Sequence, residues 1–363
     1  MPLFLTATAT VLILATLMPL SVRREWWIRA LDFPRLQIAI LALLWLIGWY
    51  FAVQNSGIWL STLAVCVSCV LIYQCTWILP HTELHTQEVS LYSPDQHGEA
   101  PTIKIMSSNV LMTNRNSAPL LELIYKHQPD IVITLESDQW WQDQLDTIEH
   151  YPHRLACPLD NLYGMHVFSR LPLHDSATEF LVESDKPSMR TRIDVSHGVS
   201  VHLHVVHPAP PAPGENDEST ERDVELIMLA KALAGSQDRI IVAGDLNDVA
   251  WSATTRLFRQ VSGLLDPRIG RGLYNTFNAF HWYARWPLDH VFVSSHFQVV
   301  KIQRLPKIGS DHYPLLFELA VTDGLIVVNS VEEEDKDEER LDSIVNSTAA
   351  HTADDPSVPL PAH

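Results

Sequence analysis

Cysteine is nearly missing from this chain. Four of its 363 residues are Cys. Cys66, Cys69 and Cys75 sit inside one apolar run, and only Cys157 lies beyond it. No disulfide framework or zinc-ribbon spacing can be drawn from them. Positive charge is scarce as well. Lys and Arg number 25 against 43 Asp and Glu, a net charge of −18, which argues against a general electrostatic grip on nucleic acid. Nothing repeats at the 20–50 residue period of solenoids or propellers. Basic residues are also absent from the first 22 positions, so the opening apolar run lacks the basic start of a signal peptide.

The charge that is present is unevenly spread. Residues 1–100 hold 4 basic and 6 acidic groups, 101–319 hold 19 and 26, and 320–363 hold 2 and 11. Half of the net charge therefore belongs to the end of the chain. There VEEEDKDEER is followed by a polar, Pro-containing stretch, a composition that solvates rather than packs. One stretch reverses the sign. Between 251 and 310, Arg256, Arg259, Arg268, Arg271, Arg285, Lys301, Arg304 and Lys307 face only Asp266 and Asp289. That pattern reads either as a positive surface for a phosphate-bearing substrate or as an ordinary solvated face.

Long apolar runs come first. Residues 2–21, 36–53 and 57–80 each approach the ~20 residues a bilayer span needs. Trp26, Trp27, Trp45, Trp59 and Trp77 lie in or beside them, several near their ends, as interfacial anchors do. The expectation is an all-α, three-span anchor over 1–80, a linker over 81–100, a catalytic domain over 101–320 and an acidic disordered tail over 321–363. Orientation cues oppose one another. Arg23, Arg24, Arg29 and Arg35 place the first loop in the cytoplasm, whereas the Lys- and Arg-free, acid-bearing segment 81–100 suits the outer side. His81 and His85 are spaced to share a metal on a helix, but Pro80 and scattered polar residues favour a linker.

From Thr102 the pattern turns α/β. TIKIMS (102–107), DIVITL (130–135), MHVFS, TRIDV, SVHLHVVH and IIVAGD read as strands, as do 288–294, 297–303 and 315–319. Residues 120–127, 137–148 (with Ser137 as N-cap) and 221–234 read as helices. PAPPAPGENDEST (208–220) is a Pro-rich acidic loop.

The chemistry-bearing residues stand where apolar strands stop. IIVAG is followed by Asp245, Asn247 and Asp248. Alone this is an Asx-rich turn as readily as a site, and Asp248 keeps that plain turn reading. But Asn109 follows TIKIMSS, Glu136 follows DIVITL, His207 ends SVHLHVV, Asp289 opens LDHVFV, and Asp311-His312 precede the last strand. Each has a bland alternative: a first-turn acid for Glu136, a core histidine for His207, a turn acid for Asp311. Strand carboxyl ends are where α/β sheets bind ligands, and so many polar strand ends together favour a site. The set suits phosphate-ester hydrolysis. A hard cation takes oxygen ligands such as Glu136. A water needs a base in the pKa range of His312, with Asp289 to hold its other ring nitrogen. Charge growing on phosphorus needs donors such as Asn247 and His207.

On Asn109, Glu136 in ITLES, Gly-Asp-Leu-Asn at 244–247, Leu-Asp-His-Val at 288–291 and Gly-Ser-Asp-His-Tyr-Pro at 309–314, the chain resembles the endonuclease/exonuclease/phosphatase superfamily. Tyr163-Gly164 with Ser169-Arg170 looks like that family's central strand, and His207-Pro208 like its histidine-bearing strand end. The three-span anchor with RWPLDHVFVS at 285–294 looks like a bacterial, inner-membrane, multi-pass branch. The resemblance implies a four-layer sandwich of two packed mixed sheets flanked by helices. It also implies a phosphoesterase using Mg2+, with Mn2+ as substitute. By resemblance Glu136 binds the metal with Asn109 and Asp311 nearby, and Asp245 orients or deprotonates the water. Asn247 and His207 hold the phosphate, with Asn109, Tyr163 and Arg170 on the substrate side. His312, paired with Asp289, is base or transition-state stabiliser. Nucleic acid and lipid headgroups both remain as substrates. The Pro-rich acidic 208–220 segment departs from the basic recognition loops of DNA-directed members. Beyond the bilayer and the substrate no protein partner is implied. A non-catalytic binding protein keeping the fold is the competing expectation, opposed by the complete residue set.

Overall fold

A computed structural model describes residues 2–52, 58–322 and 344. The chain opens with helices α1 (Pro2–Leu17), a short α2 (Trp26–Arg29), α3 (Arg35–Ala52) and α4 (Ile58–Ile78). Leu3–Leu20 and Ile58–His81 are long and apolar enough to cross a membrane. Trp26–Asp32 and Arg35–Phe51 form a pair bent by 67° that supplies a third candidate. The three long helices pack through Leu5, Ala9, Leu12, Ala42, Trp45, Leu63, Ala64 and Val67. Alanines at these contacts let the backbones approach. Their outward faces keep Leu14, Leu41, Leu44, Val65 and Ile72 exposed.

A polar knot closes one end of this bundle. Arg35 Nη2 lies 2.7 Å from Asp32 and Arg29 Nη1 lies 3.4 Å from it. Arg35 Nη1 donates to Gln74, whose amide donates to Thr16. Two of the four arginines counted for orientation are thus internal ion-pair partners.

The remaining elements, in order, are α5 (Pro94–His97), β1 (Thr102–Asn109), α6 (Ala118–His127), β2 (Ile131–Leu135), α7 (Gln139–Leu145), β3 (His153–Cys157), β4 (Met165–Ser169), β5 (Leu173–Glu179), β6 (Ser188–Ser196), β7 (Val199–Val206), α8 (Thr220–Leu233), β8 (Ile240–Asp245), α9 (Ala253–Ser262), β9 (Asp289–Val293), β10 (Phe297–Arg304) and β11 (Leu315–Val321). They build two mixed sheets, ordered β10-β11-β1-β2-β4-β3 and β5-β6-β7-β8-β9. Each sheet holds one parallel pair, β1 with β2 and β7 with β8. The crossover helices α6 and α8 connect these pairs, as parallel strands require.

Side chains alternate across each strand, and here both faces are covered. Ile103, Ile105, Ile131, Ile133 and Phe317 of one sheet meet Met189, Val201, Leu203, Ile241 and Val291 of the other. The intervening Met106, Val132, Phe168 and Leu316 pack under α6 and α7 through Leu120, Ile124 and Trp141. Val206, Ile240, Val242 and Phe292 pack under α8 and α9 through Leu226, Leu233 and Phe258. Helix, sheet, sheet and helix make the four-layer sandwich expected from the sequence. Double coverage explains why β2 and β8 read as continuous apolar runs.

Several details differ from the sequence reading. The N-cap of α7 is Asp138, which accepts from the Trp141 N–H, while Ser137 Oγ lies 2.7 Å from His166 Nδ1. Strands β3 and β5 carry no clear periodic signal, and helix α9 is absent from the sequence reading although Thr254, Leu257, Phe258 and Val261 recur at helical spacing. Segment 81–100 is not a free linker. Val89 is buried in the main core, the Tyr92 backbone N–H donates to Val299 O, and Glu88 pairs with Arg259 and accepts from Asp266 N–H at 2.7 Å. His81 is buried against Trp251 rather than paired with His85. The 251–310 basic stretch is not one surface: Arg259 and Arg268 are buried, and Arg256 stacks on Trp77. The acidic stretch 323–363 lies outside the described residues except for Ile344, which packs with Val224, Ile227 and Leu257.

The Glu88–Arg259 pair gives a test. Glu88→Ala leaves a buried guanidinium without its carboxylate and is expected to cost about 3–5 kcal/mol. Glu99→Ala, at an exposed position, is expected to stay within about 0.5 kcal/mol. Thermal unfolding of the full chain in detergent distinguishes them, and equal effects would contradict the packed role of 81–100.

Candidate active site at the carboxyl ends of the parallel strands

The two parallel pairs turn their carboxyl ends to one edge of the sandwich. Asn109 is the last residue of β1, paired with Leu135, so Glu136 follows immediately beside it. Val206 pairs with Gly244, so His207 and Asp245 emerge together. Antiparallel β9 places Asp289 opposite Asp245. Close approach of β7 and β8 requires the glycine. A Cβ on Gly244, at φ +150°, would stand 2.0 Å from Val206 O. Glu136 and Asn247 both hold left-handed backbone, at φ 55° and 50°. That conformation costs roughly 1–2 kcal/mol for a side chain such as Glu, and such strain gathers at functional sites.

Asp245 is the hub. Its Oδ1 accepts the Asn247 N–H at 2.9 Å. Its Oδ2 accepts from Asn109 Nδ2 at 3.2 Å and lies 3.4 Å from His312 Nε2 and 4.0 Å from His207 Nε2. Burial opposes its charge, but His312, His207 and these donors prevail and lower its pKa. His312 Nδ1 meets Asp289 Oδ2 at 2.8 Å. Burial works against an imidazolium there, yet the Asp245 and Asp289 carboxylates raise His312 to about 10. Protonated, it donates Nδ1–H to Asp289 and stands as an ion-pair partner of Asp245 through Nε2. His207, also buried, is lowered by desolvation to about 4, and its Nδ1 has no partner.

Residues that sequence reasoning missed hold this set. Arg222 of α8 is buried, pairs with Asp223 and Asp248, and donates to the Asn247 carbonyl at 2.9 Å. Asp248, read as a plain turn residue, is therefore a buried ion-pair partner that also accepts from Ser252 Oγ at 2.6 Å. Arg268 is clamped by Asp266 and donates to the Asp289 carbonyl at 3.1 Å. Its Nη2 also lies 2.7 Å from His290 Nδ1. Guanidinium only donates, so that nitrogen accepts and His290 Nε2–H donates to Asp248 O at 2.8 Å. Ser310 Oγ accepts from the His312 N–H, and the Phe277 ring lies 5.0 Å from the His312 ring. The adjacent acid–base spacing of Asp266 and Arg268 was the available sequence signal. Arg222 gave none, being one charge on a helix read as amphipathic.

A sequence model of the Endonuclease/Exonuclease/phosphatase family matches residues 106–312. The chain belongs to that family. Members hydrolyse phosphoester bonds as nucleases, phosphodiesterases and phosphatases, and this chain is an enzyme of that class. No curated protein matches it in sequence. Among solved structures, an endonuclease/exonuclease/phosphatase from Beutenbergia cavernae superposes with a TM-score of 0.53 at 16% identity, covering 65% of this chain and 76% of its own. D. rerio TDP2 complexed with single-strand DNA product gives 0.51 at 16%, over 61% and 99%. The human Nocturnin catalytic domain with bound sulfate gives 0.50 at 19%, over 62% and 96%. At these identities the likeness is one of fold.

The family site is gathered unevenly from the expected residues. Asn109, Glu136, His207, Asp245, Asn247, Asp289 and His312 come together. Asn247 turns its Nδ2 to Pro208 O at 3.0 Å, so its side chain braces the His207 loop. Tyr163 lies 5.2 Å from His207, ring to ring, and donates to Glu215 at 2.7 Å. The Pro-rich loop is thereby folded over the site. Arg170 is not brought in. It follows β4 at the end opposite Met165, is exposed, and donates its N–H to Asp130 O. Antiparallel pairing puts it at the wrong edge.

Divalent-metal dependence is general in the family. Asp245, Asp289 and His312 offer ligand atoms within 4.8 Å of one another, but both His312 nitrogens already face carboxylates. Glu136 fits a cation better. Its Oε1 accepts from Asn109 Nδ2 at 2.7 Å. Burial pushes its carboxyl up to about 7, and the charges of Asp311 and Asp245 add to the effect. A hard cation relieves that crowding through oxygen ligands. Asn109 directs its amide N–H groups to Glu136 and Asp245 and accepts the Leu111 N–H on Oδ1, which fixes its orientation beside Glu136.

The raised Glu136 pKa fixes a sign. Because the folded value exceeds the unfolded one of roughly 4.3, the stability linked to it is present at low pH. It is lost as pH rises through about 7. Metal-free wild type is expected to lose more thermal stability than Glu136→Gln between pH 5 and 8, and added Mg2+ should close the gap. Parallel melting curves would refute the assignment.

Proposed function

We propose that this enzyme is a membrane-held, Mg2+-dependent phosphodiesterase in which Asp245 activates water. The reading rests on the chain of contacts Asp289–His312–Asp245–Asn109–Glu136. Asp245 is ionised at neutral pH and can take the proton of an attacking water. His312, kept as imidazolium by two carboxylates, can donate to charge developing on the phosphoryl group. Asp289 fixes the ring and its Nδ1 proton. Neutral His207 offers a ring nitrogen with no other partner. A divalent cation at Glu136, with Asp311 close by, would supply charge neutralisation and Lewis acidity.

Substituting Asp245→Asn, His312→Ala or Glu136→Ala is expected to lower kcat for a soluble phosphodiester by about 10²–10⁴. Full activity in all three would overturn the assignment of Asp245, His312 and Glu136 as the catalytic groups. A sharper arm is Asp289→Asn. Loss of that carboxylate lowers the His312 pKa, so the alkaline limb of kcat should move to lower pH. An unmoved limb would rule out His312 as the protonated partner.

We also infer three crossings of a bacterial inner membrane. The start of α2, the start of α3 and the turn after α4 all meet the catalytic body: Trp26 N–H donates to Asp217 O, Gln37 to Tyr283 O, and Gly270 N–H to Pro80 O. The first loop and the catalytic body then share one side, the cytoplasmic one by the positive-inside rule. The opposing acidic cue loses weight because Glu88 is a buried ion-pair partner. A reporter fused after Thr322 should be active only if it functions in the cytoplasm, and periplasmic activity would reverse the orientation.

A further inference from the structure

The largest aromatic exposure on the catalytic body is gathered in one hairpin. Phe277 pairs with Trp286, and Asn278 N–H donates to Ala284 O at 3.0 Å. The tip between them is Phe280-His281-Trp282-Tyr283. Phe280 is 55% exposed, Trp282 80% and Tyr283 60%. The core does not use them, and water disfavours so much contiguous apolar surface. The base of the hairpin belongs to the active site. Phe277 lies against His312, and Ala279 N–H donates to Asp311 O at 2.6 Å.

The position of the tip singles out an occupant. Gln37, in the first turn of α3, donates to Tyr283 O at 3.0 Å. Along α3 the exposed apolar face begins at Ile40 and continues through Leu41, Leu43, Leu44 and Ile47. Ile40 lies less than one turn, roughly 5 Å, beyond Gln37. The hairpin therefore stands where the apolar girdle of the helical bundle starts. Trp and Tyr concentrate at that level of a bilayer. Cations flank the same mouth. Arg285 and Arg304 lie 5.3 Å and 4.5 Å from the centre of the Tyr313 ring, and Arg285 donates to its hydroxyl at 2.9 Å. Tyr313 is the neighbour of His312. Aromatic anchors beside basic side chains are the chemistry of an anionic lipid interface.

We propose that the 278–284 hairpin seats in the headgroup layer of the bilayer that holds α1, α3 and α4. Its seat opens the active site onto lipid, so the substrate is a phosphodiester in a membrane-lipid headgroup rather than in nucleic acid. The substrate half of this inference rests on the phosphodiesterase reading, whereas the seating of the hairpin does not.

Two measurements on the full chain in vesicles of phosphatidylcholine and phosphatidylglycerol test it. In the first, tryptophan emission is quenched by a headgroup-level nitroxide lipid in wild type and in Trp282→Phe. Greater quenching in wild type supports seating, and equal quenching overturns it whether or not the protein is active. In the second, the triple variant Phe280→Ser/Trp282→Ser/Tyr283→Ser is compared with wild type on vesicle phospholipid, on bis(p-nitrophenyl) phosphate and on plasmid DNA. The expected result is at least a tenfold loss in kcat/KM on vesicle lipid with the soluble ester unchanged. An equal loss on both, no loss on lipid, or turnover of DNA without turnover of lipid overturns the substrate assignment. If wild type hydrolyses none of the three, the phosphodiesterase reading fails and the substrate assignment falls with it, while quenching still decides where the hairpin lies.

Discussion

A carboxylate buried at the end of a strand needs its charge answered, and Asp245 organises the site around that need. Desolvation favours its neutral form, so the ionised form persists only because donors and cations are fixed around it. Those groups come from four separate places: Asn109 on β1, His207 after β7, Asn247 on its own turn, and His312 before β11. Their positions are fixed in turn by buried guanidinium groups. Arg222 holds the Asn247 carbonyl and Arg268 the Asp289 carbonyl. Both arginines grip backbone, so the geometry of the carboxylates does not depend on flexible side chains reaching them.

The two halves of the sandwich repeat one arrangement. Each contains a parallel strand pair joined through a helix, and each delivers a polar pair at the carboxyl ends: Asn109 with Glu136, and His207 with Asp245. On the function proposed above, the first pair would serve the cation and the second the phosphate and water. Facing sheets bring the two within hydrogen-bond reach through Asn109, which donates to Glu136 and Asp245 at once. The inter-sheet core does more than stabilise the fold, because its thickness sets the distance between the two halves of the chemistry.

Much of this was legible in the chain. Strand runs that stop on Asn109, Glu136, His207 and Asp245 mark strand ends: β2 and β8, covered on both faces, are continuously apolar, while β1 and β7 alternate. Edge strands were harder. His153–Cys157 and Leu173–Glu179 are half solvated at the sheet margins, so their patterns carry little hydrophobic signal. Buried charges misled most. Arg222 and Arg259 look like surface cations in a sequence, since pairing with Asp248 and Glu88 depends on contacts that no local pattern encodes. Arg170 misled in the opposite sense: its motif matched, but antiparallel pairing of β2 with β4 carried it to the far edge.

The seam between the helical bundle and the catalytic body has a practical meaning for handling the protein. Trp251 donates to Asp32 O, Phe33 packs edge-on against Trp286, and Trp77 joins the cluster of Val249, Ala250 and Leu288 behind the Asp245 and Asp289 loops. The bundle is a wall of the enzyme. Trimming the chain near residue 95 to obtain a water-soluble fragment would strip Val89 from the main core, remove the counter-charge of Arg259 and uncover Trp251 and Trp286. Biochemical work on the catalytic half therefore calls for the full chain, helices included, from the outset.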